Sequence, residues 1–412
     1  MVEHQELRIL QYNVQKSKDV VLASLFQDRW ITDFDLIAIQ EPWRNRFLAT
    51  TYHPLKAHFH LTYLDDKETR VCFYINKRID PSAWTVSFVS KDIISLEIIH
   101  PVMNHKLSIV NVYNEIGTNT LSDLRQTLAT LSVDRQVMVL GDFNLHHPLW
   151  STVHHLINQG IATSQPLLTI IEDFQLQLLT VPGTKTHRWK DGDSTIDLTF
   201  ATEEVASRTI YCRIDTCRDC DSDHLPIATA IEWNWQPAIL PRKRMWAKTN
   251  QSILRQIVQE RLFEGSDDVE LQSQQGIDEQ VQSIVDALQS GVDASTPWSN
   301  PCSHSVPGFD EECKNICREV QQLRRRWQRT RHEDDYEEYR VARNKKGRHI
   351  QKLLRNTHRQ RVEEASSSKS GLWKLVKWAK NRHIVAPTCT PTLQKPDGGF
   401  AHQAQEKAET LR

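Results

Sequence analysis

The sequence predicts an α/β fold, with two packed and mainly antiparallel sheets covered by outer helices and followed by a mostly α-helical extension. Short apolar runs typical of strands recur up to about residue 235, and only a few amphipathic helical segments interrupt them. A chain with many strands and few helices favours two packed sheets with helices outside them. Beyond that point the apolar residues recur at helical spacings, which predicts the extension.

The candidate strands mix alternating and continuous apolar character, as expected for strands that are buried on one or both faces. They lie at residues 7–14, 35–42, 70–77, 85–90, 93–99, 106–114, 136–141, 176–181, 195–201, 209–214 and 226–233. Helices are predicted at residues 18–30, 120–132 and 164–175. In the last of these, Ser164 followed by Pro166 is a typical helix start.

Two prolines, Pro237 and Pro241, and the basic residues 242–244 mark the end of the first predicted domain. Segments 250–263 and 277–290 then carry apolar residues three and four apart, which predicts helices. An arginine-rich helical stretch follows them. We therefore predict four regions, namely a sheet-containing domain at 1–235, a helical linker at 236–300, a basic helical region at 301–385 and a loop-like tail at 386–412.

The net charge of −1 conceals an asymmetry between the two parts of the chain. Residues 1–235 hold 21 Lys and Arg against 29 Asp and Glu, whereas residues 236–412 hold 30 against 23. An acidic domain suits a site that collects divalent cations, and a basic region suits contact with a polyanion. The 412 residues are enough for two or three domains and a sizeable core.

No apolar run approaches the roughly 20 residues that a helix needs to cross a bilayer. The N-terminal residues carry no basic segment followed by an apolar one, so no signal peptide is predicted. The eight cysteines are scattered along the chain, which favours free thiols in a reducing compartment. We therefore expect an intracellular protein with no membrane partner.

The most informative motif is Gly141-Asp142-Phe143-Asn144, which directly follows an apolar run at residues 137–140. A buried strand that ends in such a turn presents a carboxylate and an amide side by side at the edge of a sheet. Those groups can serve as a base and as a hydrogen-bond donor. Taken alone, the motif is equally compatible with an ordinary strand-to-loop turn.

Three other predicted strand ends carry polar groups of the same kind. They are Asn13, Glu41 and the pair Asp223-His224. Together with the Gly-Asp-Phe-Asn turn, this ordered set resembles the endonuclease/exonuclease/phosphatase superfamily over residues 7–235. The resemblance implies a four-layered α/β sandwich and the hydrolysis of phosphate esters.

Phosphodiester hydrolysis requires a divalent cation, a base for the attacking water and donors for the developing negative charge. Mg²⁺ prefers carboxylate and amide oxygens, and Mn²⁺ can substitute for it. Glu41, which follows a buried strand and precedes Pro42, is the best metal-ligand candidate, with a surface or helix-capping glutamate as the alternative. We expect Asn13 to support the same ion, unless its amide pairs with the backbone.

The resemblance also implies roles for the remaining site residues. Asp142 positions or deprotonates the attacking water, and Asn144 donates to a phosphate oxygen. His224 contacts the phosphate, with its ring oriented by the carboxylate of Asp197. Asp223 lies beside the metal, as a second ligand or through water. For His224 the alternative is an ordinary hydrogen-bonded histidine.

Tyr113 matches the tyrosine that nucleases of the superfamily place at the phosphate. The family continues with a proline-containing loop, whereas this chain reads Asn114-Glu115-Ile116-Gly117. The shape of this loop is therefore not implied by the resemblance. A strand-end tyrosine that packs in the core is the alternative for Tyr113.

After the Gly-Asp-Phe-Asn turn the chain continues Leu-His-His-Pro-Leu-Trp at residues 145–150. This segment resembles the endonuclease domains of non-LTR retrotransposons, particularly fungal ones. His147 would lie near DNA, and Trp150 would either stack there or pack under the loop, with packing favoured. The basic helical region resembles the linker that precedes reverse transcriptase in such elements. No polymerase signature follows, so we expect a truncated element with a nuclear protein product.

We therefore predict an Mg²⁺-dependent DNA endonuclease that nicks one strand of a duplex. The alternatives are a phosphoesterase acting on an inositol phosphate or sphingolipid, and a decayed nucleic-acid-binding remnant. The expected partners are DNA and, through the basic helical region, element RNA. The charge asymmetry further predicts that this region supplies most non-specific affinity while the acidic domain supplies the chemistry. A merely solvated helix is the alternative.

Overall fold

The computed structural model describes residues 4–45, 51–100, 105–131, 136–151, 158–190, 192–235, 244–264, 274–298, 309–380, 393–394 and 400–401. Most of the predicted tail at residues 386–412 lies outside these ranges. Contacts divide the chain into two compact units, one of Met1–Ala238 with Ser303–Arg412 and one of Ile239–Cys302. The basic helical region therefore groups with the first domain, although the predicted linker separates the two in sequence.

The strands of the larger unit are, in chain order, β1 His4–Asn13, β2 Leu36–Gln40, β3 Phe59–Thr62, β4 Val71–Asn76, β5 Trp84–Ser90, β6 Ile93–Ile99, β7 Lys106–Tyr113, β8 Gln136–Asp142, β9 Gln177–Leu178, β10 His187–Trp189, β11 Gly192–Ser194, β12 Asp197–Ala201, β13 Thr209–Ile214, β14 Ile227–Trp235, β15 Leu393–Gln394 and β16 Phe400–Ala401. They form two six-stranded sheets, in the orders β13-β14-β1-β2-β4-β3 and β5-β6-β7-β8-β12-β9, and two hairpins, β10-β11 and β15-β16. In each six-stranded sheet one described pair is parallel, β1 with β2 and β7 with β8, and the others are antiparallel. The predicted fold class is thus confirmed.

The helices are α1 Ala23–Leu25, α2 Thr120–Thr130, α3 Asn158–Asp173, α4 Glu203–Ser207, α5 Gln251–Glu264, α6 Gln274–Ser295, α7 Glu311–Thr330, α8 Glu333–Ser366 and α9 Lys369–Lys380. The helix predicted at residues 18–30 is shorter in the structure. A π-helical turn at Lys18–Leu22 continues into α1, and the next amides, of Gln27 and Asp28, bond three residues back. Such tightened bonds are typical of a helix end.

The sequence patterns did not predict five short strands, β3, β10, β11, β15 and β16, of which the last two form a hairpin in the segment predicted to be a loop-like tail. β3 is the outer strand of the first sheet, and β10 and β11 form a hairpin of three residues on each side. Segments this short contain too few residues to display an alternating pattern. The strand predicted at residues 176–181 is also reduced, to the two residues of β9.

Three apolar clusters account for the four layers of the sandwich. Between the sheets, Ile9 and Phe73 of the first belong to one cluster with Leu96 and Met138 of the second. The α1 segment covers the outer face of the first sheet, and α2 and α3 cover that of the second. Because these side chains are buried, large-to-small substitutions among them would each cost about 2–5 kcal/mol.

Two buried hydrogen bonds from glutamine side chains connect the sheets. Nε2 of Gln11 on β1 donates to the carbonyl oxygen of Gly141 on β8 at 2.9 Å. Nε2 of Gln40 on β2 donates to Oδ1 of Asn111 on β7 at 2.6 Å. Buried polar groups are costly without such partners. The bonds therefore fix the offset between the sheets near the C-terminal ends of β1, β2 and β8.

Helices α7 and α8 form a hairpin within the larger unit. Oδ1 of Asp310 caps α7 by accepting a bond from the backbone N–H of Cys313 at 2.9 Å. The helix ends at Arg331, which adopts the left-handed conformation. Between the helices, Trp327 stacks on Tyr339 with ring centroids 5.6 Å apart and planes at 4°. The hairpin thus has a small aromatic core of its own.

In the smaller unit, α5 and α6 pack against each other. The guanidinium of Arg244 lies 3.5 Å from the ring centroid of Trp298 and donates to the carbonyl oxygen of Thr296 at 2.9 Å. Among the helices that the structure describes, none has both the length and the apolar character required to span a bilayer.

Candidate active site

The strand ends bring the predicted site residues to one edge of the sandwich. In the first sheet, Asn13 is the last residue of β1, and Glu41 follows the last residue of the parallel strand β2. In the second sheet, Asp142 pairs with Tyr113 on β7 and with Asp197 on β12. The side chains of these five residues come from strands that are far apart in sequence.

The Gly-Asp-Phe-Asn turn depends on its glycine. Gly141 has a φ of +155°, and a Cβ atom there would lie 1.9 Å from the carbonyl oxygen of Val112 on β7. Only glycine permits this approach. Phe143 is buried, and Asn144 has a φ of +52°, which asparagine tolerates better than most residues. The turn therefore holds Asp142 at the edge of the sheet.

Asp142 is buried and hydrogen-bonded at both carboxylate oxygens. Nδ2 of Asn13 donates to Oδ2 at 2.9 Å, and the backbone N–H of Asn144 donates to Oδ1 at 3.1 Å. Burial and the nearby carboxylate of Asp197 raise the pKa of Asp142 to about 7, despite the opposing effect of His224. A carboxylate with this pKa is suited to accept a proton from water near neutral pH.

His224 is buried and paired with Asp197. Its Nδ1 lies 2.8 Å from Oδ2 and 3.0 Å from Oδ1 of Asp197, and its Nε2 lies 3.7 Å from Oδ2 of Asp142. Burial alone would lower the pKa of His224, but the charge of Asp197 outweighs it and raises the pKa to about 10. The imidazolium therefore donates through Nδ1 to Asp197 and directs Nε2 towards Asp142.

Asp223 is contacted by two residues that the sequence patterns did not predict. Nε2 of Gln15 donates to its Oδ2 at 2.7 Å, and Nε2 of His187 lies 3.7 Å from the same oxygen. Burial would raise the pKa of Asp223, but the imidazoles of His187 and His224 outweigh it and lower the pKa. Gln15 lies two residues beyond Asn13, a proximity that could have suggested it; His187 lies in the short β10–β11 hairpin and had no such signal.

Glu41 has a φ of +48°, in the left-handed region that glutamate rarely adopts. Its carboxylate lies 3.4 Å from Nζ of Lys16 and is hydrogen-bonded with Tyr113. Burial and the charges of Glu41 and Asp142 raise the pKa of Tyr113, so its phenol stays protonated and can donate. The guanidinium of Arg70 lies 4.8 Å from the Tyr113 ring centroid and supports the ring from one face.

Asn114 holds the loop after Tyr113 in place. Its backbone N–H donates to the carbonyl oxygen of Asp142 at 2.8 Å, and its Nδ2 donates to that of Phe143 at 2.6 Å. In return, Nδ2 of Asn144 donates to the carbonyl oxygen of Asn114 at 2.9 Å. An amide nitrogen carries two hydrogens, so this bond leaves one on Asn144 for a ligand.

Trp150 and His147 differ in accessibility. Trp150 is fully buried, and its Nε1 donates to the carbonyl oxygen of Leu145 at 3.0 Å. A buried indole has no face to offer a base, so Trp150 packs under the loop and does not stack on substrate. His147 is half-buried, with its ring 5.2 Å from that of Trp150. Substrate contact stays a prediction for His147.

Three groups among the described side chains bring potential metal ligands within 4.8 Å of one another. Two lie at this edge, namely Asp142 with Asp197 and His224, and His187 with Asp223 and His224; the third, Asp310 with Cys313 and His349, lies at the start of α7. Glu41 belongs to none of them, so its role as a metal ligand stays a prediction. Most of the donors at this edge are carboxylate oxygens. Such a set suits a hard divalent cation better than a soft one.

Residues 107–228 match the family described as endonuclease-reverse transcriptase. The matched region includes eight of the predicted site residues, Tyr113, Asp142, Asn144, His147, Trp150, Asp197, Asp223 and His224. The match confirms the resemblance to the endonuclease/exonuclease/phosphatase superfamily and supports phosphodiester hydrolysis. No curated protein matches the chain.

Several solved structures are similar to part of the chain. The endonuclease domain of TRAS1, a telomere-specific non-LTR retrotransposon, is 18% identical, with 55% of this chain and 98% of that chain covered and a TM-score of 0.44. The AP endonuclease LMAP from Leishmania major is 10% identical, with 55% and 88% covered and a TM-score of 0.46. An AP endonuclease from Archaeoglobus fulgidus is 17% identical, with 55% and 99% covered and a TM-score of 0.41.

Proposed function

We propose that the chain is a divalent-metal-dependent endonuclease that nicks duplex DNA. The observation that carries the proposal is the buried His224–Asp197 pair, whose free ring nitrogen faces Asp142 at 3.7 Å. A carboxylate, an oriented imidazole and amide donors at one edge are the groups that phosphodiester hydrolysis uses. The match of residues 107–228 to an endonuclease family supports the same chemistry.

His224 supplies positive charge to the phosphate. With a pKa of about 10, it is an imidazolium at neutral pH. Asp197 holds the ring through Nδ1, so Nε2–H is the donor that faces the reacting group. A preorganised cationic donor of this kind stabilises the charge that develops on the phosphate oxygens.

Asp142 receives the proton of the attacking water. Its pKa of about 7 makes it an effective base near neutral pH. Asn13 and the Asn144 backbone hold its two oxygens, so the acceptor is fixed before substrate binds. The remaining amide hydrogen of Asn144 and the phenol of Tyr113 then serve as donors to the phosphate.

A divalent cation would neutralise the phosphate and make it a better electrophile. Glu41, Asp223 and the side-chain oxygen of Asn13 are the groups that would hold it, and Mg²⁺ matches their hard oxygen atoms. Glu41, Asp142, Asp197 and Asp223 bring four carboxyl groups to this edge, and their negative charge favours binding of a divalent ion. Mn²⁺ is expected to substitute, since it accepts the same ligands.

The test is conversion of supercoiled plasmid to open circles by the full chain, with Mg²⁺ and with chelator. His224→Ala should lower the rate by about 10²–10³-fold or more, because it deletes a group that meets charge in the transition state. His105→Ala is the matched control, since His105 is exposed and lies next to the N-terminal end of β7. Release of phosphate from an inositol phosphate, or of the phosphorylated head group from a sphingolipid, without plasmid nicking, would overturn the assignment.

A further inference from the structure

The α7–α8 hairpin packs against the loop that leads into His224. The hairpin and residues 1–238 belong to one compact unit. Two basic side chains of the hairpin, Arg324 and Lys346, are buried, although such residues are rarely buried without a partner. Both reach residues 219–222, which directly precede Asp223 and His224.

The two buried cations hold this loop at three points. Nη1 of Arg324 donates to Oδ1 of Asp219 at 2.5 Å, and Nη2 donates to the backbone carbonyl oxygen of Ser222 at 2.5 Å. Nζ of Lys346 forms an ion pair with the buried carboxylate of Asp221. Burial lowers the pKa of Lys346 to about 8, so the ammonium still carries its charge at neutral pH.

Ser222 connects the hairpin to the candidate active site. Its carbonyl accepts the bond from Arg324, while its hydroxyl donates to the carbonyl oxygen of Asn13 at 2.8 Å. The same hydroxyl accepts a bond from the backbone N–H of His224 at 3.3 Å. A single residue therefore joins the buried arginine to the backbone of two site residues. The neighbouring Asp221 has a φ of +68°, a conformation that needs support from its surroundings.

The charge of the loop explains why it needs these cations. Asp219, Asp221 and Asp223 place three carboxylates at alternate positions, and the side chains of the first two are 15% and 0% exposed. A buried carboxylate that loses its cation is strongly destabilised. Without the hairpin the loop would move to hydrate these groups. His224 would move with it, away from Asp142.

A second contact joins the turn of the hairpin to the β10–β11 hairpin. Nη2 of Arg331 lies 2.6 Å from both carboxylate oxygens of Asp193, and Nζ of Lys190 lies 2.8 Å from Oε1 of Glu333. These pairs are exposed, so each contributes little by itself. They nevertheless connect the hairpin to the segment that carries His187.

We propose that the α7–α8 hairpin is a built-in positioning element of the nuclease, in which Arg324 and Lys346 hold the 219–224 loop so that His224 faces Asp142. Both side chains are positioning residues, because they act through the loop. The effect on turnover rests on the proposed function, whereas the effect on the loop does not. The charge asymmetry predicts that the acidic domain supplies the chemistry and the basic helical region the non-specific affinity; the proposal adds a positioning role for that region.

The experiment compares full-length wild type, Arg324→Gln and the control Arg329→Gln, which removes an exposed charge from the same helix. Hydrogen–deuterium exchange of the peptide spanning residues 215–226 reports on the loop without any activity. Arg324→Gln should lower the protection of this peptide by about tenfold or more, since local opening sets its exchange rate. The control should leave protection within about twofold of wild type.

Plasmid nicking provides the second measurement. Arg324→Gln should lower kcat by about tenfold to a hundredfold, the effect expected of misplaced catalytic groups, while KM stays within about threefold. Unchanged protection in a folded Arg324→Gln variant would overturn the proposal. Lost protection with an unchanged kcat would overturn the positioning role. If wild type does not nick plasmid but Arg324→Gln still loses protection of the loop, the loop contact is sustained and the proposed function is refuted instead.

A second pair of variants, which removes one or both charges of the Lys346–Asp221 ion pair, keeps the proposal testable if Arg324→Gln unfolds, as circular dichroism would show. Lys346→Met leaves buried Asp221 with only the more distant Arg324, whose Nη1 lies 3.6 Å from its Oδ1, whereas Asp221→Asn with Lys346→Met removes both charges, and asparagine suits the left-handed conformation. The double variant should recover at least tenfold of the protection and of the kcat that Lys346→Met loses, because removing both partners costs far less than removing one. Equal behaviour of the single and double variants would overturn the proposal.

Discussion

The imidazole of His187 lies against that of His224, with ring centroids 4.6 Å apart. The two residues also form a backbone bridge, and the N–H of Arg188 donates to the carbonyl oxygen of Asp223 at 2.8 Å. The β10–β11 hairpin is therefore attached to the 219–224 loop through both backbone and side chains. This attachment adds a histidine from outside the four motifs to the candidate site.

His187→Ala should raise the pKa of Asp223 in the chelator-treated protein. Burial raises that pKa and the imidazole of His187 helps to lower it, so removing the imidazole leaves the effect of burial less opposed. Nuclear magnetic resonance of the Asp223 carboxyl carbon measures this pKa directly, whereas a pH–rate profile near pH 7 reports on Asp142. Trp189→Phe, beside His187 in the same hairpin, is the control and should leave the pKa of Asp223 in place; an unchanged pKa in His187→Ala would contradict the pairing.

The pairing of His224 with Asp197 predicts a pH-dependent stability of the chelator-treated protein. The folded pKa of about 10 exceeds the ordinary value of 6.5, so the imidazolium stabilises the fold fully below 6.5 and this stabilisation is lost as the pH rises through 10. Between pH 7.5 and 10 the free energy of unfolding should therefore fall more in wild type than in Asp197→Asn, whose imidazole faces an amide at Nδ1 and keeps only the more distant carboxylates of Asp142 and Asp223 near Nε2. Titration of Asp142, near pH 7, lies mostly below this window.

Denaturant unfolding at several pH values measures that difference, and nuclear magnetic resonance of the His224 ring measures its pKa directly. Changes in groups that do not interact with Asp197 cancel when the two proteins are compared. Parallel stability curves for wild type and Asp197→Asn, or a wild-type His224 that titrates near 6.5, would show that the pair does not hold its proton as the geometry indicates.

Gly141→Ala should be strongly destabilising, because the new Cβ would meet the Val112 carbonyl oxygen at 1.9 Å. We expect a loss of about 3 kcal/mol or more in the free energy of unfolding, or failure to fold, as overpacking and backbone strain combine. Gly117→Ala is the matched control, since Gly117 also has a positive φ, +86°, but has no atom within 4 Å of its ideal Cβ. It should lose only about 1 kcal/mol. Equal losses, measured by denaturant unfolding, would mean that the approach of β7 to β8 relaxes easily.

The four strand-end motifs could be predicted because strand ends are local features. Each apolar run predicts a buried strand, and the polar residue after it lies at the sheet edge independently of the rest of the fold. The order of these motifs then implied the sandwich, and the paired ends of β7, β8 and β12 carry Tyr113, Asp142 and Asp197 as neighbours. The hydrogen bond from Asn144 to the Asn114 carbonyl oxygen could not be predicted from any sequence pattern. It depends on the loop after Tyr113, where this chain departs from the family.

The contacts of the hairpin could not be predicted from the sequence, because they are specific pairings between distant segments. Arg324 and Lys346 belong to the same arginine- and lysine-rich stretch as many exposed cations, and composition does not distinguish buried from solvated members. Their partners lie more than a hundred residues earlier in the chain. The stretch thus has two roles, attachment to the domain through buried cations and an exposed basic surface. Counting charges in the sequence does not distinguish them.

The exposed basic surface of α8 leads to the last prediction. Arg348, Lys352, Arg355 and Arg359 are exposed and follow one another at spacings of four, three and four residues, so they share one face of the helix. We expect this face to supply much of the non-specific affinity for duplex DNA, since the acidic domain repels a polyanion. Removing residues 300–412 would not test this, because it would also remove Arg324 and Lys346 from the 219–224 loop.

Point substitutions separate the two roles. Changing all four α8 cations to glutamine should weaken duplex binding and flatten the dependence of log K on log salt by about 0.9 per lost phosphate contact, while turnover at saturating DNA stays within about twofold because the site is untouched. The control carries the same change in net charge on the domain, through glutamine at Lys67, Lys106, Arg125 and Arg213, which are all exposed. Because these four lie on other elements, their loss should leave the slope close to that of wild type. Equal slopes for wild type and the α8 variant would mean that this face of α8 is only solvated, and that the acidic domain binds DNA through its own side chains.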